Sequence, residues 1–180
     1  MKHNLLLILL SVTFYTGMCA QNGRNNPTDI AVTELNSLIS VNGGSGEIAR
    51  VTSSDASTIN VQRLKNLVTQ VQPSIYFEDG VVNTYGDLPT NLFTDLLSIG
   101  RVDNPVIAKQ NIEIATIVIN SVNELNSTID LSAFSNFPNL KYIYFKTKLN
   151  TTSANIASRI INYDNRFNIV YKIDKGDSNQ

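Results

Sequence analysis

One apolar spacing recurs near the C-terminal end of the chain, and it constrains the fold more than any other feature. In IATIVIN, Ile114, Ile117 and Ile119 stand in the order apolar-x-x-apolar-x-apolar, and in LKYIYFK, Leu140, Ile143 and Phe145 repeat that order 26 positions later. Another 26 positions on, Arg166, Ile169 and Tyr171 in RFNIVYK keep the second and third places and lose the first. Each block is short and rich in β-branched and aromatic residues, which reads as a strand. Between the first two, Leu131, Phe134 and Phe137 in DLSAFSNFPN recur every third residue, as in a short helical turn. Between the last two, TSANIASRIIN reads as a capped amphipathic helix with Ile156, Ile160 and Ile161 inward. Strand, crossover, strand, helix, strand is a unit whose apolar face must be buried by its neighbours.

This pattern, over about residues 112–173, resembles the leucine-rich-repeat family. There a six-residue strand motif recurs every 20–29 residues and lines a parallel sheet. LSAFSNFPNLKYIYF looks like the end of one repeat running into the strand of the next. The family's Asn or Cys three residues past the strand motif would fall at Val122 and Lys148. A small parallel α/β sheet of another kind would give the same spacing. The resemblance implies a mainly parallel α/β sheet with repeat-like strand–helix units in the C-terminal half.

Both readings say the same about faces. If Ile143 and Phe145 point to the core, alternation sends Tyr142, Tyr144 and Lys146 to the other side of the sheet. A spacing of 26 sets Thr116, Val118 and Asn120 beside them on one flank and Asn168, Val170 and Lys172 on the other. An open face would be a pair of tyrosines rimmed by lysines, a composition favoured at interface centres. Tyr142, Tyr144, Lys146 and Lys172 are therefore the candidate ligand-binding residues. A helix packed over that face would make both tyrosines core.

The N-terminal half carries weaker signals. Residues 29–41 suit a short helix with Ile30, Leu35, Leu38 and Ile39 inward, and NGGSGE after it is a turn lacking the Lys-Ser/Thr of a phosphate loop. A strand at Ile48–Thr52 precedes a polar loop offering Ser57 or Thr58 as an N-cap. The next helix, over 59–71, lines up Val61, Leu64, Leu67, Val68 and Val71 and ends at Pro73. SIYFEDGVVNTYG is a hairpin, because Asp79-Gly80 accepts the positive φ values of a tight turn. DLPTNLFTDLLSIG has the marks of a helix: Asp87 as cap, Pro89 in the first turn, Leu92, Phe93, Leu96 and Leu97 inward, and Gly100 at the end.

Residues 1–20 have the form of a secretory signal: Lys2, an apolar block from Leu5 to Phe14, then Gly17, Cys19 and Ala20. A block of ten residues falls short of the roughly 20 that a membrane-spanning helix needs. The end of this segment resembles those of exported bacterial proteins, implying a secreted, periplasmic or surface location. TGMC loosely resembles a lipobox, which makes Cys19 the candidate lipidation site, although MCAQN also suits ordinary cleavage. Residues 21–28 read as a flexible leader, 29–175 as a single α/β domain and 176–180 as a frayed tail.

Function is bounded mainly by exclusion. Of 14 basic side chains only Lys2 lies in the signal, so 13 remain against 15 acidic ones, and no field is available to steer nucleic acid. The sole histidine, His3, also lies in the signal, which removes Ser-His and Cys-His nucleophile pairs and histidine-ligated zinc. An enzyme would need paired carboxylates, as in glycan hydrolases, or a Ser-Lys arrangement. Glu78 and Asp79, as strand neighbours, point to opposite faces. The reading is an exported binding module for a protein or glycan, with no cofactor or metal. The alternatives are a carboxylate-dependent hydrolase and a lipoprotein subunit of an envelope complex.

Overall fold

The computed structural model describes residues 30–41 and 59–176. The expected signal segment with Cys19, the expected leader, the strand expected at 48–52 and the caps expected at Ser57 and Thr58 lie outside these residues. No helix among the described residues is long and apolar enough to cross a membrane.

The fold is α/β, built on a mostly parallel sheet of seven strands. In chain order these are β1 (Val32–Glu34), β2 (Ser74–Glu78), β3 (Val81–Tyr85), β4 (Asn91–Asp95), β5 (Ile114–Ile119), β7 (Tyr142–Thr147) and β9 (Asn168–Ile173). Across the sheet the order is β1-β9-β7-β5-β4-β2-β3, and only β3 runs antiparallel to its neighbour. From β2 to β9 each new parallel strand is added beside the last. Two further strands, β6 (Ile129–Asp130) and β8 (Ile160–Ile161), pair in parallel within the crossovers. The helices are α1 (Leu35–Val41), α2 (Val61–Thr69), α3 (Val122–Leu125) and α4 (Ser153–Ala157).

Strands buried on both faces read as continuous apolar runs, which is why β5 and β7 carry so little polarity. One face holds the main core. Phe77, Leu92, Ile117, Ile143, Phe145 and Ile169 pack there against side chains of the crossovers, including Ile112, Phe134, Phe137 and Ile156. Leu131–Phe134 is a 3-10 turn, whose three-residue period lets Leu131, Phe134 and Phe137 all turn inward and become fully buried. Arg166, at the place where the third block loses its apolar residue, clamps that turn: its guanidinium donates to the carbonyls of Phe134, Ser135 and Phe137 at 3.2, 2.9 and 3.3 Å.

Several expectations need correction. Residues 87–100 are not a helix. Asn91–Asp95 is a strand between β2 and β5, and a 3-10 turn follows at Ile99–Arg101. Leu88 takes φ +52° ahead of Pro89, a conformation no helix start allows, and the slot between two parallel strands satisfies the backbone of 91–95 in place of helical bonds. Leu97, expected inward, is exposed. The helix expected over 29–41 begins only at Leu35, since Val32–Glu34 joins the sheet beside β9. The cap of α2 is Asn60, whose side chain accepts from the Arg63 amide at 2.9 Å, and Val71 lies beyond the helix, fully exposed. Ile160 and Ile161 leave α4 for β8, where alternation buries the first and exposes the second.

The expected spacing of 26 holds only in part. β7 and β9 pair with the expected offset of 26, Tyr142 beside Asn168 and Lys146 beside Lys172. β5 and β7 pair with an offset of 28, so Tyr142 stands beside Ile114, Tyr144 beside Thr116 and Lys146 beside Val118. A slip of two residues preserves the side-chain face. The true counterparts of Leu140, Ile143 and Phe145 are therefore Ile112, Ala115 and Ile117.

Candidate functional site

The face that carries Tyr142 and Tyr144 is not open. α1 and α2 lie across it, and Leu35, Leu38, Ile59, Leu64 and Leu67 pack with Ile114, Tyr142, Tyr144 and Val170 into a second core. Tyr142 is 2% exposed and Tyr144 5%. The Tyr142 hydroxyl donates at 3.2 Å to the carbonyl of Asn60, the cap residue of α2. Burial pushes both phenols up, that of Tyr144 to about 12 with help from the charge of Asp174. The condition for a tyrosine docking surface fails here, because parallel strands bury both faces where helices cover both.

Lys146 and Lys172 stay nearer to solvent at the C-terminal ends of β7 and β9. Lys146 Nζ sits 3.1 Å from Asp174 Oδ2, and this contact, with Lys172 adding to the field, holds the Asp174 carboxyl below the usual carboxylate range. The two lysines thus neutralise a local acid.

The helical roof reaches only part of the sheet. Lateral pairing puts Tyr76, Phe93, Thr116, Tyr144 and Val170 in one row on this face. The row is sealed from Thr116 to Val170 and becomes accessible at Phe93 and Tyr76. α2 ends above β4, where Asn91 Nδ2 donates to the Leu67 carbonyl at 2.8 Å. Beyond it lies an aromatic surface. The Tyr76 ring stacks on Phe93, with centroids 4.7 Å apart and planes within 11°, and meets Tyr85 edge-on at 5.6 Å. The 4.7 Å separation is the strand spacing itself, so the stack is dictated by the β2–β4 register.

Tyr85 and Val81 are 61% and 58% exposed on the same face of β3, and the fully exposed Val71 lies beside Tyr76 and Tyr85. An open groove of about 350 Å³ runs between Val71, Gln72, Ser74, Tyr76 and Tyr85. The turn that positions the surface is the one expected, with Asp79 at φ +50° and Gly80 at φ +82°. Alternation in SIYFE could have shown Tyr76 pointing away from Ile75 and Phe77. Its partner Phe93 was hidden behind the helical pattern of 87–100.

Among the described residues, the two carboxylates that line a common cavity are not a pair of the hydrolase kind. Asp103 and Asp130 line a shallow cavity of about 210 Å³. Asp103 is held below the usual range by Lys109 and Asn136, and Asp130 by Asn162 and Ser132. A glycosidase acid needs a carboxyl displaced the other way. No group of three His, Cys, Asp or Glu side chains able to hold a metal comes together among the described residues.

No protein-family model matches the chain, and neither a curated protein nor a solved structure does.

Proposed function

We propose that the chain is an exported bacterial binding module, related in design to leucine-rich-repeat sheets, that engages a protein partner through its β2–β3–β4 end. The observation that carries this reading is the aromatic surface of Tyr76, Tyr85 and Phe93, with Val71 exposed beside it and Val81 exposed further along the same face of β3. Contiguous apolar patches on a folded chain mark contact surfaces, and tyrosine is favoured at their centres. The stacked geometry favours protein over glycan. A sugar needs a free ring face, and Tyr76 already gives one to Phe93 while Tyr85 meets it edge-on.

The repeat-like design rests on the strand offsets. β4 to β5, β5 to β7 and β7 to β9 are displaced by 23, 28 and 26 residues, all within the range of that family. With these offsets Pro89, Leu92 and Thr94 become a further unit ahead of Ile112, Ala115 and Ile117. Export rests on the signal-like first 20 residues, with Cys19 as the lipidation site of the envelope-subunit alternative.

The test combines location with contact. Cell fractionation with N-terminal sequencing of the mature chain should place it outside the cytoplasm, starting near Ala20 or Gln21, and a fatty-acid analogue reports on Cys19. Crosslinking from the cell envelope should capture a partner that the double substitution Tyr76→Ser, Tyr85→Ser loses while thermal unfolding stays cooperative. An unchanged capture pattern removes this surface from consideration.

A further inference from the structure

The partner surface has a second component besides side chains, the open edge of β3. Among the described residues β3 pairs with β2 alone, in the register Glu78–Val81, Tyr76–Asn83 and Ser74–Tyr85. In a two-residue hairpin the residues flanking the turn exchange both backbone bonds, and every second pair does so after them. Val81, Asn83 and Tyr85 therefore turn their amides and carbonyls toward β2. Val82 and Thr84 turn theirs outward, where no backbone bond from the described residues meets them.

Sheets usually blunt such an edge with a proline, a charge or a bulge. VVNTY has no proline and no charge, and all five residues pair in unbroken register. The opposite edge, β1, is only three residues long, and α4 packs against it.

Resting on the binding role proposed above, we propose that β3 takes up an extended segment of another protein as an added strand, and that this segment carries basic residues on either side of an uncharged β-forming centre. The backbone of Val82 and Thr84 supplies two donors and two acceptors to the incoming strand. On the face shared by Val81, Asn83 and Tyr85, the groove between Val71, Ser74, Tyr76 and Tyr85 receives one apolar side chain.

Charge decides the flanks. Residues 71–100 contain Glu78, Asp79, Asp87 and Asp95 and no lysine or arginine. Glu78 and Asp79 lie at the turn end of β3 and Asp87 just past Tyr85, all exposed. Arg101, beside Gly80, offsets one of them in part. A second copy of this chain fits poorly. Symmetric antiparallel pairing centred on Asn83 would set Asp79 of each copy against Asp87 of the other, and like charges directly opposite are unfavourable.

The test uses labelled synthetic peptides on the full chain: an alternating Val-Thr octamer flanked by two lysines at each end, the same octamer flanked by glutamates, and Thr84→Pro protein. Proline suits this position, because its missing N–H is one that points away from β2. The lysine peptide is expected to bind at low salt, to slow amide exchange at Val82 and Thr84, and to lose binding to Thr84→Pro. The glutamate peptide is expected to bind about tenfold more weakly.

Binding of the lysine peptide that survives Thr84→Pro, or leaves exchange at Val82 and Thr84 untouched, overturns the proposal, as does concentration-dependent dimerisation through β3. If Tyr76→Ser, Tyr85→Ser abolishes envelope capture and Thr84→Pro does not, the binding module stands and strand addition falls. If neither changes capture, both readings fall together.

Discussion

The roof over Tyr144 makes a quantitative prediction at alkaline pH. Tyr144 has its phenol pushed up to about 12 by burial beneath α1 and α2, against an ordinary value of 10.0. Below pH 10 the folded and unfolded chains both hold the proton, and this group adds no pH dependence. As pH rises from 10 toward 12 the unfolded chain releases it first, and folding stability falls by about 1.4 kcal/mol per pH unit. The loss reaches roughly 2 kcal/mol by pH 11.5, a little less where water reaches the hydroxyl. Tyr144→Phe removes the titration and fills the same space, so it should lie within about 1 kcal/mol of the native chain at pH 7. Urea unfolding at pH 7, 10 and 11.5 reads the difference. Every other group is common to the two chains, so its contribution cancels in the difference. Relative to native, the variant should gain about 1 M in urea midpoint by pH 11.5, for a slope near 2 kcal/mol/M. If the two chains lose stability in parallel, or if ultraviolet titration shows every tyrosine ionising together near 10, the phenol is not sealed and the covered face is refuted.

Other substitutions test the rest of the framework. Phe145→Ala, at a fully buried position of β7, should cost about 3–5 kcal/mol in urea unfolding, and a loss below about 1 kcal/mol would refute its place in the core. Glu113→Gln should remove about 0.5–1 kcal/mol at pH 7, since the partly exposed carboxylate accepts from Arg63 at 2.5 and 3.1 Å. Because Arg63 holds that carboxyl below its ordinary value, the contribution is present above the unfolded value and vanishes as pH falls through the folded one. The gap between native and variant midpoints should therefore close toward pH 3, and a gap that persists would mean that the ion pair is not its source. Gly86→Ala should cost about 1–2 kcal/mol, because φ is +77° and the new Cβ would stand 3.1 Å from that of Pro73. Gly100→Ala meets nothing within 4 Å and serves as the near-neutral comparison by thermal melt.

What was legible in the sequence follows from which forces act locally. β5, β7 and β9 were readable because a strand buried on both faces must be apolar and β-branched along its length. The β3 turn was readable because Asp79-Gly80 has few conformational alternatives. Register between β5 and β7 was not, since it depends on how much chain the crossover with α3 and the 3-10 turn consumes. The slip from 26 to 28 leaves every side chain on its face, so alternation could not detect it. The segment 91–95 failed for a different reason. Leu92, Phe93, Leu96 and Leu97 fit a helical stripe, but a vacant slot between β2 and β5 is a stronger determinant than a pattern of four residues. That error propagated to the site, because Tyr76 shows as part of an aromatic surface only when Phe93 lies on the neighbouring strand. The roof of α1 and α2 was legible as two amphipathic helices but not as the cover of Tyr142, since nothing in a helix's own pattern names the face it will meet.

The reversal at β3 ties these observations together. A sheet that grows by adding each parallel strand beside the last has no intrinsic end, and its edge strands invite further pairing. Among the described residues the antiparallel hairpin strand stands at one edge, and α4 packs against the three-residue β1 at the other. An end strand without proline, bulge or charge of its own would be expected to pair indiscriminately. Acidic residues set just outside it, at Glu78, Asp79 and Asp87, leave its backbone available while repelling another copy. That combination is costly for a purely structural cap, which one lysine in VVNTY would serve better. It suits an edge whose strand is meant to be completed by a different, basic chain.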